Sequence, residues 1–251
     1  MVEDFAETEV ARYGRQLIMP EIGRKGQERL SRSRVLIGGV GGLGSILAYQ
    51  MAACGVGSLR IVDRDCVEMS NLNRQLIHTT ADIGRPKVLS AEEKLRALNP
   101  HCRIEAVQAE IHVESAARLA DGCDILLDGT DNLAARKALN RAAVQAGIPF
   151  VYGGVEGFGG MLSSFIPGEG PCLECLFPRE DRPSGRTIGV LGAVPGVIGS
   201  LQSIEAVKIL LGLDGILQER LLIFDGRNLS FREIEVKRNP ACAVCGGCSD
   251  H

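Results

Sequence analysis

The residues best able to do chemistry in this chain fall into three groups, and the first is a glycine turn. Gly39-Val40-Gly41-Gly42-Leu43-Gly44 has G-x-G-x-x-G spacing, after the apolar run Arg34–Gly38 and leading into the small, apolar stretch Leu43–Ala53. In such a turn Gly39 permits the sharp reversal, Gly41 lets backbone N–H groups approach a phosphate, and Gly44 lets helix and strand pack closely. The positive end of the helix dipole favours the same anion. Asp63 ends the next apolar run, 19 residues after Gly44, where a carboxylate can accept hydrogen bonds from a ribose. Alone, this pattern signals a nucleotide without choosing between NAD and ATP; a tight turn with no ligand is the competing reading.

The second group supplies charge. Ser70-Asn71-Leu72-Asn73-Arg74-Gln75 is followed by Lys87, beside Pro86. A triphosphate carries about four negative charges and needs arginine, lysine and a metal ion to offset them, whereas the pyrophosphate of NAD is satisfied largely by the glycine turn. Taken singly, Arg74 reads equally well as a surface ion pair and Lys87 as a solvated helix start. Asp128-Gly129-Thr130-Asp131-Asn132 closes another apolar run, and two carboxylates and an amide at a strand end suit Mg²⁺. The rival reading makes Asp131 a cap for the helix that follows.

The third group is cysteine. Of nine cysteines, Cys54, Cys66, Cys102 and Cys123 stand singly among apolar or small residues and are expected to be small core hydrophobes. Cys172-Leu-Glu-Cys175 and Cys242-Ala-Val-Cys245 are C-x-x-C pairs, and four thiolates suit a tetrahedral structural Zn²⁺. A redox pair is the alternative. Cys248 forms a further C-x-x-C with Cys245, so spacing alone leaves the register of the second pair open.

Apolar runs alternate with helical stretches as far as residue 152, which predicts a doubly wound, Rossmann-like and mostly parallel sheet. Strands are expected at 34–38, 58–62, 103–107, 124–128 and 149–152, and helices at 43–53, 86–98, 114–120 and 133–146, the last stopped by Gly147. Past Gly153 the pattern changes to an antiparallel extension: a strand over 157–166, a long crossing segment over 168–192, a helix over 194–211, and strands at 220–224 and 230–235. The division is then a helical segment 1–32, a nucleotide-binding core 33–152 and a second half 153–251 with a zinc-tied tail, all within one domain 1–251. The net charge of −3 argues against a general nucleic-acid binder. Met1 to Glu9 holds four acidic residues and does not read as a signal peptide, and no stretch approaches a membrane span of about 18 uninterrupted apolar residues. The expected location is the cytoplasm, with no membrane partner.

In this order the motifs resemble a family. Arg12-Tyr-Gly-Arg15-Gln16, the glycine turn, Asp63, the 70–75 run, Gly84-Arg-Pro-Lys87-Val88, Asp131-Asn132 and the two C-x-x-C pairs are similar to those of the bacterial adenylyltransferases of molybdopterin and thiamine biosynthesis, relatives of the ubiquitin-activating enzymes. The resemblance covers roughly residues 8 to 246. It implies an ATP pocket formed by the glycine turn, Asp63, Ser70 to Arg74, Lys87, Asp131 and Asn132, with Asp131 holding Mg²⁺. It implies that Arg15 reaches the nucleotide of a neighbouring subunit in a homodimer, and that zinc is held by Cys172, Cys175, Cys242 and Cys245. The implied substrate is a small β-grasp, ubiquitin-like sulfur carrier ending in Gly-Gly, lying under the crossing segment, with the molybdopterin-type pathway slightly favoured over thiamine or tRNA thiolation. One position departs: several members carry a cysteine before an Arg-Thr pair in the crossing segment, and here Gly185 precedes Arg186-Thr187. That implies an acyl-adenylate without a stable enzyme thioester, and a separate sulfur donor. An NAD(P)-dependent oxidoreductase and a catalytically silent carrier scaffold are the rivals. The first predicts nicotinamide binding without pyrophosphate exchange, and the second predicts loss of Arg15, Arg74, Lys87 or Asp131.

Overall fold

The structure is a computed structural model that describes residues 7–178 and 189–246. Its centre is one eight-stranded sheet in the order β3-β2-β1-β4-β5-β6-β7-β8. Strands β1 (Arg34–Gly38), β2 (Ser58–Val62), β3 (Arg103–Val107), β4 (Ile125–Asp128) and the start of β5 (Phe150–Glu156) run parallel. Val35, Leu36 and Ile37 of β1 and all four residues of β4 are buried, as central parallel strands covered on both faces must be.

Helices cover the two faces. On one face α3 (Gly42–Ala53), α4 (Lys87–Leu98) and α8 (Ala193–Leu211) set Leu47, Met51, Val88, Leu95, Ala206 and Leu210 against Val35, Ile37, Leu59 and Leu127. On the other, α5 (Val113–Ala120) and α6 (Leu133–Ala146) set Leu119, Leu139 and Ala142 against Leu36 and Leu126. Ahead of the sheet, α1 (Glu7–Leu17) and α2 (Gly23–Arg32) bring in the buried Tyr13, Gln27 and Leu30. The tyrosine hydroxyl accepts a hydrogen bond from the Asn99 side chain at 2.9 Å.

The antiparallel half departs most from the sequence expectation at the end of β5. β5 does not stop at Tyr152; it runs through Gly153 and Gly154 to Glu156 and pairs along its length with β6 (Gly159–Phe165), from Phe150↔Phe165 to Glu156↔Gly159. These glycines are not a break. A Cβ on Gly153 would lie 2.4 Å from the Gln202 side chain, and one on Gly160 2.3 Å from Ile198. Glycine at these positions is what lets α8 lie close on the strands. β7 (Arg220–Asp225) and β8 (Ser230–Glu235) complete the sheet, and every residue of the edge strand β8 is exposed. Among its described residues the crossing segment contains one short helix, α7 (Leu173–Leu176). Gly185, Arg186, Thr187 and Cys248 lie outside the described residues.

α8 bears on the membrane reading. Its 19 residues are long and apolar enough for a span by length and composition, but half of that window is buried and it packs against α3, β5 and β6. It carries Gln202, Glu205 and Lys208, with Glu205 buried and accepting hydrogen bonds from Ser164 and Leu217. It is a core helix.

Candidate nucleotide site and cysteine centre

The carboxyl ends of β1, β2 and β4 face one crevice, at the point where the strand order reverses between β1 and β4. The glycine turn fills that point. Gly39 has φ +86°, and a Cβ there would meet the Gly129 carbonyl at 2.6 Å; a Cβ on Gly44 would meet the Gly39 carbonyl at 1.9 Å. Turn, helix and the end of β4 are thus in backbone contact. Gly41 differs: nothing but the Gln75 amide at 3.6 Å and the Gly129 carbonyl at 4.0 Å lies near its missing Cβ. The N–H groups of Gly41, Gly42 and Leu43 find no acceptor among the described residues. Three unspent donors at the start of α3 form an anion cradle.

Around that cradle the expected residues converge in part. Asp63 accepts the Val40 N–H at 2.8 Å through one oxygen and the Asp65 N–H at 2.9 Å through the other, so it braces the turn and each oxygen keeps a further lone pair. Lys87 is only 7% exposed, and among the described residues its ammonium has one partner, Asp65, at 3.1 Å. A buried ammonium with donors to spare is no solvated helix start. The Arg74 backbone lies 3.6 Å from where a Gly42 Cβ would be, while its guanidinium donates to the Ser70 carbonyl and the Asn73 side chain. Asn71 caps its own turn by accepting the Glu68 N–H at 3.1 Å. Ser70 and Asn73 are exposed and Leu72 is half-buried.

The 128–132 run needs correction. Asp128 is fully buried; it accepts two hydrogen bonds from Thr130 and ion-pairs with Arg136 at 3.0 Å. Burial pushes its carboxyl upward against the pull of that guanidinium. It is therefore spent on the fold and offers no ligand. Nor does Asp131 cap α6. The cap is Asn132, whose side-chain oxygen accepts the Ala135 N–H at 2.8 Å. Asp131 is left exposed at the strand end, where among the described residues only its neighbour's amide reaches it, at 3.4 Å. One free carboxylate fits Mg²⁺, which takes one or two carboxylates and completes its shell with phosphate and water.

Arg15 is not brought to this crevice by its own chain. Helix α1 is tied by Gln16 to the Cys54 carbonyl at 2.9 Å and by Arg12 to the Leu98 carbonyl at 2.8 Å, at the C-terminal ends of α3 and α4. The glycine turn is at the opposite end of α3, about 18 Å away for a helix of this length.

Sequence reasoning missed three residues. Gln75 is buried, with its amide nitrogen beside Gly41, and its side-chain oxygen has no partner among the described residues. Its place in the 70–75 run was the available signal. Arg136 both pairs with Asp128 and lies over the Tyr152 ring, 5.3 Å from its centroid. His78 is buried behind the glycine turn; nothing in its neighbours singled it out.

The cysteines sort cleanly. Burial pushes the thiols of Cys54 and Cys102 up to about 12, and that of Cys123 upward, as inert core sulfurs require. Cys66 corrects the expectation, for it is exposed. The sulfurs of Cys172, Cys175, Cys242 and Cys245 all lie within 4.8 Å of one another, with Cys172–Cys242 at 3.7 Å and Cys175–Cys245 at 3.5 Å. Tetrahedral Zn–S bonds of about 2.3 Å place sulfurs about 3.8 Å apart, so the donor set fits zinc. Backbone N–H groups of Asn239 and Val244 point at Cys175 and Cys242 at 3.4 and 3.5 Å, the contacts that stabilise bound thiolates. Burial raises Cys172 to about 11, and burial with the neighbouring sulfurs raises Cys245, whereas backbone N–H groups hold Cys242 below the ordinary value against burial. Four such groups shed their protons together only around a cation.

With this geometry, similarity to known proteins becomes decisive. The ThiF family pattern matches residues 13–244. The chain belongs to the ThiF family. Among its relatives, the Thermus thermophilus sulfur carrier protein adenylyltransferase is 43% identical, over 96% of this chain and 93% of that protein. The SAMP-activating enzyme E1 of Haloferax volcanii is 41% identical, over 95% and 90%. The adenylyltransferase and sulfurtransferase MOCS3 of Anopheles gambiae is 43% identical; the match covers 94% of this chain and 55% of that longer protein. Among solved structures, Escherichia coli MccB with succinimide superimposes with a TM-score of 0.85, covering 97% of this chain and 75% of that one, at 20% identity. That likeness extends the ThiF assignment to the fold: a mixed sheet with parallel strands followed by antiparallel ones.

Proposed function

We propose that this ThiF-family protein uses ATP to adenylate the C-terminal glycine carboxylate of a ubiquitin-like sulfur carrier, releasing pyrophosphate. The observation that carries the reading is the anion cradle at Gly41–Leu43 beside a buried, under-partnered Lys87 and a free Asp131. The carrier's carboxylate is already ionised at neutral pH, so the reaction needs no protein base. It attacks the α-phosphorus, the bond to the β-phosphate oxygen breaks, and pyrophosphate departs. The enzyme contributes position and charge: the turn's N–H groups hold phosphate oxygens, Lys87 and Arg74 neutralise developing charge, and Asp63 orients the ribose. Asp131 would hold Mg²⁺, which supplies further charge neutralisation on the phosphates. The cysteine centre would hold zinc as a structural tie.

Arg15 acts in trans in this reading, because its own chain keeps it near the far end of α3. Mixing Arg15→Ala with Lys87→Met protein is expected to restore exchange that neither variant shows alone; failure to complement would place Arg15 outside the site. No enzyme thioester forms in the crossing segment, since Gly185 stands where a cysteine would be needed, and sulfur comes from a separate donor. The pathway follows from the carrier, with the molybdopterin type favoured over thiamine and tRNA thiolation.

The test is ATP–pyrophosphate exchange against a panel of β-grasp proteins ending in Gly-Gly. Exchange that requires one carrier and is lost when its last glycine is removed supports the reading. Exchange independent of every carrier, or nicotinamide binding in its place, contradicts it.

A further inference from the structure

Behind the glycine turn lies a buried polar chain that the reaction described above does not use. His78 is 5% exposed, with Nε2 3.2 Å from the Val40 carbonyl and Nδ1 2.9 Å from the Ser90 hydroxyl. Ser90 is fully buried on α4, the helix that begins with Lys87. Its hydroxyl accepts from the Lys94 ammonium at 2.8 Å, and Lys94 donates to Asp82 at 2.6 Å.

The donor and acceptor roles are fixed by elimination. A carbonyl only accepts, so Nε2 carries the proton and donates to Val40; Nδ1 then accepts from the Ser90 hydroxyl. Burial holds His78 neutral by lowering its pKa, and Lys94 and Lys87 push the same way against the Val40 carbonyl. The Val40 peptide group is therefore gripped on both of its neighbours' planes: its N–H by Asp63 at 2.8 Å, its carbonyl by His78.

The second grip has a consequence for anion binding. The Val40 carbonyl and the Gly41 N–H belong to one peptide unit, and no cis peptide occurs among the described residues. In a planar trans unit these two groups point in opposite directions. Drawing the carbonyl inward toward His78 turns the Gly41 N–H outward, into the space left open at that glycine, where it has no acceptor among the described residues. Without the His78 donor the buried carbonyl would seek another partner, and rotation of that unit would take the N–H away from the crevice.

We propose that His78 is a positioning residue: by donating from Nε2 to the Val40 carbonyl it sets the Gly41 N–H as a phosphate donor, and Ser90 keeps it in the required tautomer. This rests on the assignment of the crevice to ATP. The effect belongs to phosphate groups and not to the nucleoside.

Binding of ATP, AMP and adenosine by the full-length protein tests it, with variants chosen to separate ring, donor position and folding. Phenylalanine removes both nitrogens. Asparagine places an amide near the Nδ1 position, and glutamine places one near Nε2. His78→Phe and His78→Asn are expected to bind ATP and AMP about tenfold more weakly, the scale of one hydrogen bond to a charged group. Adenosine binding is expected to stay unchanged, and His78→Gln to retain most of the ATP affinity. Equal weakening of all three ligands, or unchanged ATP binding in a folded His78→Phe, would overturn the inference while leaving the nucleotide site standing. Wild-type protein that binds ATP no better than adenosine would overturn the site assignment and the inference together.

Discussion

Lys87→Met is expected to lower carrier-dependent ATP–pyrophosphate exchange by about 10²–10³-fold, the loss seen when one preorganised charge-stabilising donor is removed, without lowering the melting temperature. The two halves have separate causes. The ammonium is buried, and among the described residues only Asp65 shares its charge, so its remaining donors are free to meet phosphate oxygens. Asp65 is itself 53% exposed and returns to water when the lysine is removed, leaving no buried charge stranded. Methionine keeps most of the side-chain volume against α4's neighbours. Exchange measured beside a thermal melt separates the outcomes. Loss of exchange with an intact melt fits a phosphate ligand; loss of both would make Lys87 a structural residue. Arg74→Ala should also impair exchange, although its guanidinium must first leave the Ser70 carbonyl and the Asn73 side chain.

The second large effect is expected at the cysteine centre. Cys242→Ser or Cys172→Ser should reduce bound zinc from about one ion per chain to none and destabilise the protein by several kcal/mol, a fraction of the roughly 10–16 kcal/mol that zinc supplies to small zinc-dependent folds. The reason lies in how little else holds the tail. Among the described residues, Val144 and Val244 are the apolar side chains that cluster with these cysteines. Beyond them, Arg238 reaches the Cys245 carbonyl and Asn239 the Cys175 sulfur. Metal analysis, a melt with and without a strong chelator, and limited proteolysis of residues 237–246 would read the effect. Wild-type protein that contains no metal and melts identically with chelator would refute the zinc assignment. The nucleotide crevice is lined by other elements, so ATP binding below the melting temperature should survive the substitution.

Much of the first half was legible because its physics is local. A parallel strand buried on both faces must be a short apolar run, and the glycine turn must follow it; β1, β2 and β3 match the expected bounds. Gly147 ends α6 with φ +67°, as a left-handed cap should. What the sequence concealed depends on distant partners. Gly153 and Gly154 look like a strand end until Gln202 is found packed on the first of them. Asp128 and Asp131 are alike in sequence, yet Arg136 and Thr130 take one into the core and nothing takes the other. Asn132 and Asp131 compete for the same cap, and only geometry shows that the amide has it. Cys66 is exposed where Cys54 packs against the core, and the charged Arg64, Asp65 and Glu68 around it, against Ala52, Ala53 and Gly55 around Cys54, were the signal for that difference. His78 is the extreme case, a lone histidine in a polar stretch whose partners lie 38 residues before it and 12 after.

The most direct measurement uses ATP labelled at the α-phosphate, incubated with the enzyme and a Gly-Gly-ended carrier without any sulfur donor. Intact mass and label are read on the carrier. The account predicts a carrier bearing one AMP on its terminal carboxylate, stable enough to detect after rapid quenching and absent with Lys87→Met enzyme. A carrier that stays unmodified while ATP is consumed, or that gains the mass of a phosphoryl group without the α-label, would contradict it.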